Sequence, residues 1–402
     1  MLLGGFGMRP KATMRFRALP MGQEAVAMGH EVTLVMPPWD CPEDAGREWT
    51  ESGVRVVNVP LPMHITQSVG GAATVAPGIV RALVRAVRAA KPDIVHLFQP
   101  KGYGGLAALA LTLRHVPLVV DVDDWEGAGG WNDMNAYSPM QRRLFAWQEH
   151  DLPCRAGACT VASRVLAARV ASFGVVADRV TYLPNALASG RHESWAERAV
   201  SSTPAAVLQF RLGRARPKIL VYTRFMECTP EAVAAVFARV RAQLPDACLF
   251  IVGGSDAARA AFASFGDAVS WAGDVPFAEL PVYLQAADVA LVPFADTPVN
   301  RAKCSVKTLD LLALGVPVVA TAVGENVTMI RDGETGVLVP PDDAGAAAST
   351  LIALLTDAPQ RRSLGAAARE RAWREQTWAA QMPALLAAYR SVLTRPANRR
   401  SQ

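Results

Sequence analysis

Apolar residues along this chain fall in short runs rich in Val, Ile and Leu, separated by stretches whose apolar positions recur at helical spacing. Such runs read as strands buried on both faces, and their alternation with helices predicts β-α-β units in a doubly wound parallel sheet. In the first half the predicted strands are 31–36, 54–59, 93–98, 117–121, 158–162 and 179–183, with helices over 73–90, 104–114, 140–151 and 164–173. A clipped first strand, Leu2-Leu3, precedes a glycine loop at 4–13. The pattern fails between Gly190 and Pro217, then resumes with strands at 218–223, 248–252, 269–271, 288–293, 316–321 and 336–339. Helices at 230–244, 256–265, 277–287 and 305–314 separate those strands, and helices at 344–355, 360–373 and 377–393 follow them. The expected fold is α/β: two Rossmann-like domains, 1–190 and 217–375, joined by a linker at 191–216. A ligand is expected in the cleft between them, at the carboxyl ends of the strands.

Composition narrows this only a little. A chain of 402 residues, 51% apolar and 19% charged, can bury two or three cores and is not disordered. Its 41 basic and 36 acidic residues leave +5 in all, too little for a nucleic-acid grip. The six cysteines show no CxxC pair and no zinc spacing, which predicts buried free thiols and no metal site. The longest apolar stretch, Leu311 to Gly324, falls short of the roughly 20 residues of a membrane span. No signal-peptide pattern opens the sequence, so the cytosol is the expected compartment.

The stretch KCSVKTLDLLALGVPVVAT at 303–321, followed by AVGENVTMIRDGETGVLVPPDD, concentrates the candidate chemistry. It reads as a helix ending at Gly315, a buried strand, and a turn at Gly324 feeding a helix start at Glu325 and Asn326. Amides at such a start suit a phosphate. Lys307 and Asp310 lie one turn apart on the preceding helix, suiting a diphosphate and a ribose; alternatively they form a surface ion pair worth about 0.3 kcal/mol.

In its order, this stretch resembles the family 4 glycosyltransferases of GT-B fold. The shared elements are a carboxylate (Asp310), Gly315, Pro317 to Thr321, the Gly324 turn, and Gly333 to Val339. Further likenesses are KILVYTR at 218–224, FIVGG at 250–254, VSWAGD at 269–274, and Trp378 and Tyr389 in the last helix; the first half matches more thinly. The resemblance implies a retaining hexosyltransferase that needs no metal or cofactor, with helix 376–395 returning to the first domain. It places Arg224 and Lys307 on the donor diphosphate, with Lys303 as the alternative donor-binding lysine, and Asp310 on the ribose. Gly254, Val275, Gly324, Glu325 and Asn326 would line the nucleotide, with Gly5 and Gly7 in the loop opposite. Two departures stand out: Ala302 occupies the position of the family's first motif Glu, and the usual phosphate lysine is missing from RFMECTPE after Arg224.

Asp121, Asp123 and Asp124 end a predicted buried strand, where three carboxylates repel one another unless matched or solvated. Asp123 or Asp124 could orient an acceptor hydroxyl or take its proton; a turn cap or a bound cation explains them equally well. Trp125 and Trp131 nearby suit packing or sugar stacking, and His30 and His96 read as structural. The implied partners are a nucleotide sugar and a hydroxyl acceptor, either a glycan, a lipid-linked sugar or a secondary metabolite. Arg9, Lys11, Arg15 and Arg17 could approach an anionic membrane at the inner face or form a solvated helix face. Two other readings stay open: a nucleotide-sugar epimerase of the same fold, and a catalytically lapsed sugar-binding subunit.

Overall fold

The computed structural model describes residues 1–8, 13–62, 69–188, 207 and 216–394. Most of the 191–216 linker, together with Arg9 and Lys11, lies outside the described residues. Two compact units divide the chain: Met1–Asn185 with Ala302–Cys304 and Trp378–Gln402, and Ala186–Arg301 with Ser305–Thr377.

The first unit is built on a sheet of eight strands, β1 (Leu2–Gly4), β2 (Thr33–Met36), β3 (Glu48–Glu51), β4 (Val54–Asn58), β5 (Val95–Phe98), β6 (Leu118–Val122), β7 (Ala158–Val161) and β8 (Val180–Tyr182). They lie in the order β3-β4-β2-β1-β5-β6-β7-β8, all parallel except β3. Central strands such as β5, β6 and β7 are buried at every residue, as a sheet covered on both faces requires. Among the described residues, the unit's helices before the chain leaves it are α1 (Leu19–Ala27), α2 (Val69–Ala90), α3 (Gly102–Thr112), α4 (Trp131–Met134), α5 (Pro139–Arg155) and α6 (Arg164–Ser172). α2 packs on α3 and α3 on α5. The crossovers that carry α2, α3 and α5 all step the same way across the sheet, from β4 to β5, β6 and β7, so these helices share one face.

The second unit has a parallel six-stranded sheet of β9 (Lys218–Thr223), β10 (Cys248–Gly253), β11 (Val269–Gly273), β12 (Val289–Val292), β13 (Val318–Thr321) and β14 (Val337–Val339). Its order is β11-β10-β9-β12-β13-β14, so the direction of winding switches between β9 and β12. In chain order its helices are α7 (Pro230–Gln243), α8 (Asp256–Arg259), α9 (Leu280–Leu284), α10 (Pro298–Ala302), α11 (Val306–Ala313), α12 (Asn326–Met329), α13 (Ala344–Thr356) and α14 (Ala358–Glu375). Phe237, Leu249, Ile251 and Leu351 pack in one core, each burial worth about 1.5–3 kcal/mol. The last helix, α15 (Trp378–Thr394), belongs to the first unit, where it lies against α1 and β7. Among the described residues no helix is long and apolar enough to cross a membrane.

Candidate active site

The loops that follow β9, β10, β11 and β13 carry the donor-side candidates, at the sheet end where ligands of such folds bind. Arg224 comes directly after β9, exposed and without an ion pair to any described residue. The next residue, Phe225, holds a left-handed backbone, φ 58°, and its amide donates to Thr223 Oγ1 at 2.8 Å. That turn swings Glu227 inward, where its carboxylate meets Lys307 Nζ of α11 at 3.5 Å. Where the resemblance expects a lysine, this chain thus carries a buried acid that draws an ammonium from another helix. Lys307 also sits 5.5 Å from the centre of the Tyr222 ring.

Gly254, with φ at 84°, leaves no room for a Cβ, which would come within 2.7 Å of Trp271. It closes β10 against an aromatic wall of Trp271 and Phe225, while Val275 stays half-buried just beyond β11. Gly324 turns the chain after β13 at φ 59°. In the helical turn that follows, the Asn326 and Val327 amides meet no acceptor among the described residues.

In the first unit the acidic strand end divides into different roles. Asp121 is fully buried and forms two bonds with Arg17, at 2.6 and 2.7 Å, while Thr160 donates to it at 2.5 Å. Asp123 accepts from Gln99 Nε2 at 3.4 Å through one oxygen; its other oxygen is buried with no partner among the described residues. Burial, with Asp124 and Asp121 adding repulsion, holds the Asp123 carboxyl well above the usual range. Burial raises Asp124 as well, against the opposing pull of Lys303, whose ammonium lies 5.7 Å from the Trp131 ring centre. Two carboxyls made more basic in this way suit the acceptance of a proton from a hydroxyl.

The segment 13–186 matches the family described as "Glycosyl transferase 4-like domain", and 216–357 matches "Glycosyl transferases group 1". The chain is a family 4-type glycosyltransferase. Its fold is GT-B: a sucrose-phosphate synthase from Thermosynechococcus elongatus superimposes with a TM-score of 0.71 at 22% identity, over 97% of this chain and 95% of that one. A D-inositol 3-phosphate glycosyltransferase of Stackebrandtia nassauensis is 34% identical over 182 residues. That match takes in 42% of this chain and only 40% of the relative's length. A GDP-mannose-dependent alpha-(1-6)-phosphatidylinositol monomannoside mannosyltransferase of Mycolicibacterium smegmatis is 25% identical over 90% of this chain and 91% of its own.

Within this glycosyltransferase several residues singled out in the sequence are buried or paired. Lys303 belongs to the first unit, where it groups with Asp124 and Trp131. Asp310 is 1% exposed and Glu325 is buried. The Asn326 amide group is spent on the Thr321 carbonyl, at 3.2 Å, and on the Thr308 hydroxyl, at 3.3 Å. In the glycine loop both glycines pack closely: a Cβ on Gly5 would lie 3.1 Å from the Lys101 carbonyl, and one on Gly7 3.2 Å from Pro38. The Gly7 amide already donates to Asp40. Asp296, six residues before Ala302, is clamped by Arg301 at 2.5 and 2.7 Å. Arg17 is 2% exposed and cannot touch a membrane, and Arg15 pairs with Glu51.

His96 is structural, as its sequence context suggests: its ring nitrogens lie 2.9 Å from Tyr389 Oη and 3.0 Å from Thr160 Oγ1. Burial lowers its pKa from 6.5 to about 4. As pH falls below 6.5 the unfolded chain takes up this proton first, so stability declines until pH reaches about 4. The decline from this group amounts to about 3 kcal/mol. Urea unfolding across that window is expected to show a slope that His96→Gln flattens; equal slopes in the two proteins would refute the assignment.

Proposed function

We propose that this glycosyltransferase moves a hexose from a nucleoside diphosphate sugar to a hydroxyl acceptor, with retention at the anomeric carbon and with no cofactor. The acceptor is a glycan, a lipid-linked sugar or a secondary metabolite. The observation that carries this reading is Arg224, an exposed guanidinium with no ion pair among the described residues, at the carboxyl end of β9, beside the point where the second sheet reverses its winding. The donor named for the M. smegmatis relative, GDP-mannose, supports the same donor class.

In the reaction the bond from C1 to the diphosphate oxygen breaks, and its electron pair leaves with the diphosphate. The acceptor oxygen bonds to C1 and its proton passes to a carboxylate. Arg224 and Lys307 counter the charge that grows on the leaving group, assisted by the Asn326 and Val327 amides. Asp123 or Asp124 takes the acceptor's proton.

Calorimetric titration with GDP-mannose and UDP-glucose is expected to show binding of at least one, and NMR of the product to show the donor's anomeric configuration. If neither nucleotide sugar binds, the donor assignment is wrong; an inverted product removes only retention. One observation favours a second reading, a lapsed sugar-binding subunit: Ala302 is fully buried and has no group to bond a hydroxyl. Release of nucleoside diphosphate from bound donor at any measurable rate excludes it.

A further inference from the structure

Between Glu51 and Asp93 the sequence has no acidic residue, yet it carries Arg55, Arg81, Arg85, Arg88 and Lys91. Arg81, Arg85 and Arg88 fall on α2 at steps of four and three, which puts them in one line along the helix. All three are exposed, and none forms an ion pair with a described residue. On the same sheet face α5 adds Arg143, exposed and likewise unpaired. The acids of α5 give little to offset this: Glu149 is buried on Arg169, and Asp151 is held by Arg155. This helical layer is therefore cationic on its outside.

Apolar side chains stand out from that layer. Leu113, at the end of α3, is 71% exposed; Met140 and Trp147 of α5 are 58% and 41% exposed. Met140, Arg143 and Trp147 lie at i, i+3 and i+7, one stripe of the helix, and Trp147 contacts no other ring among the described residues. Unpaired arginines together with protruding Leu, Met and Trp fit an interface that is charged at its surface and oily a few ångströms below. A soluble polyanion would use the arginines and leave the apolar side chains in water.

We propose that the α2-α3-α5 face of the first unit docks on an anionic lipid bilayer, with the arginines among the headgroups and Leu113, Met140 and Trp147 entering the interface. The membrane contact thus belongs to this layer and not to Arg15 and Arg17. It goes beyond the transferase reading and does not depend on it.

The test is flotation of the purified full chain with vesicles of phosphatidylcholine alone or mixed with phosphatidylglycerol. Binding is expected to the mixed vesicles only and to weaken as salt is raised. Each charge near an anionic surface is worth about five-fold in affinity, so Arg85→Glu, a change of two charges, should lower it about thirty-fold. Trp147→Ser should weaken binding and leave its salt dependence unchanged. Thermal melts and nucleotide-sugar titration of each variant confirm an intact fold and report the donor site separately. Equal binding to neutral vesicles, or none to anionic ones at low salt, overturns the proposal. Binding to heparin or RNA as tight as to vesicles, and indifferent to Trp147→Ser, overturns it in favour of a soluble polyanion.

Discussion

Arg17→Ala is expected to destabilise the first unit by about 3–5 kcal/mol, because it leaves the Asp121 carboxylate buried with its charge unmatched. The effect is large against a total stability of about 5–15 kcal/mol. More than one ion pair is at stake. The same guanidinium donates to Asn185 Oδ1 at 2.9 Å and to the Leu183 carbonyl at 2.8 Å, and lies 5.5 Å from the centre of the Trp378 ring. Asn185 in turn donates to the Cys304 carbonyl at 2.7 Å. Asn185, Cys304 and Trp378 mark the points where the chain leaves, revisits and re-enters the first unit. A single buried cation therefore organises three segments that are distant in sequence. Urea unfolding of Arg17→Ala, Asp121→Asn and the double variant should give a coupling of several kcal/mol, with the double variant recovering much of the loss. Additive losses would show that the pair is not the source of the stability.

That network is also the clearest case of what a single sequence withholds. Arg17 and Asp121 stand 104 residues apart, and no local period links a basic residue near the start to a carboxylate on a central strand. Arg17 lies on a π-turn, Met14–Ala18, that runs into α1, in a stretch where Pro20 and Gly22 argue against a helix. The proline falls in the first turn of α1, where its missing amide costs nothing. Strand β3 escaped for the opposite reason: EWTE is an edge strand with charged residues at both ends, paired to β4 through a tight turn at Ser52-Gly53, and it offers no apolar run. By contrast, β9 is legible residue for residue, because a strand covered on both faces must be apolar throughout and Pro217 marks its start. The helix read at 256–265 splits into α8 and a 3-10 segment, Ala260–Ala268, kinked at Gly266, whose φ of 51° no helix accommodates. At the site, Arg224 was visible because it ends a strand. Glu227 and Gln99 were not, because their roles come from left-handed turns at Phe225 and at Gln99 itself, which composition does not encode.

Arg224→Ala is expected to lower kcat by about 10²–10³ while leaving thermal stability unchanged. The two halves of this expectation rest on separate observations. Arg224 is exposed and forms no ion pair with a described residue, so its removal uncovers no buried partner. Its proposed work is confined to the transition state, when charge moves onto the departing diphosphate, so kcat should fall further than donor affinity. Lys307 is a poorer probe of the same chemistry: its loss strands Glu227, a buried acid, and an unstable protein would mimic an inactive one. Arg224→Lys sharpens the test, since it keeps the charge and loses the two-pronged geometry that fits a phosphate. It should fall between wild type and alanine if the guanidinium grips two oxygens, and should match wild type if charge alone matters. Steady-state rates and donor titrations of the three proteins decide this, and an alanine variant with undiminished kcat removes Arg224 from the reaction.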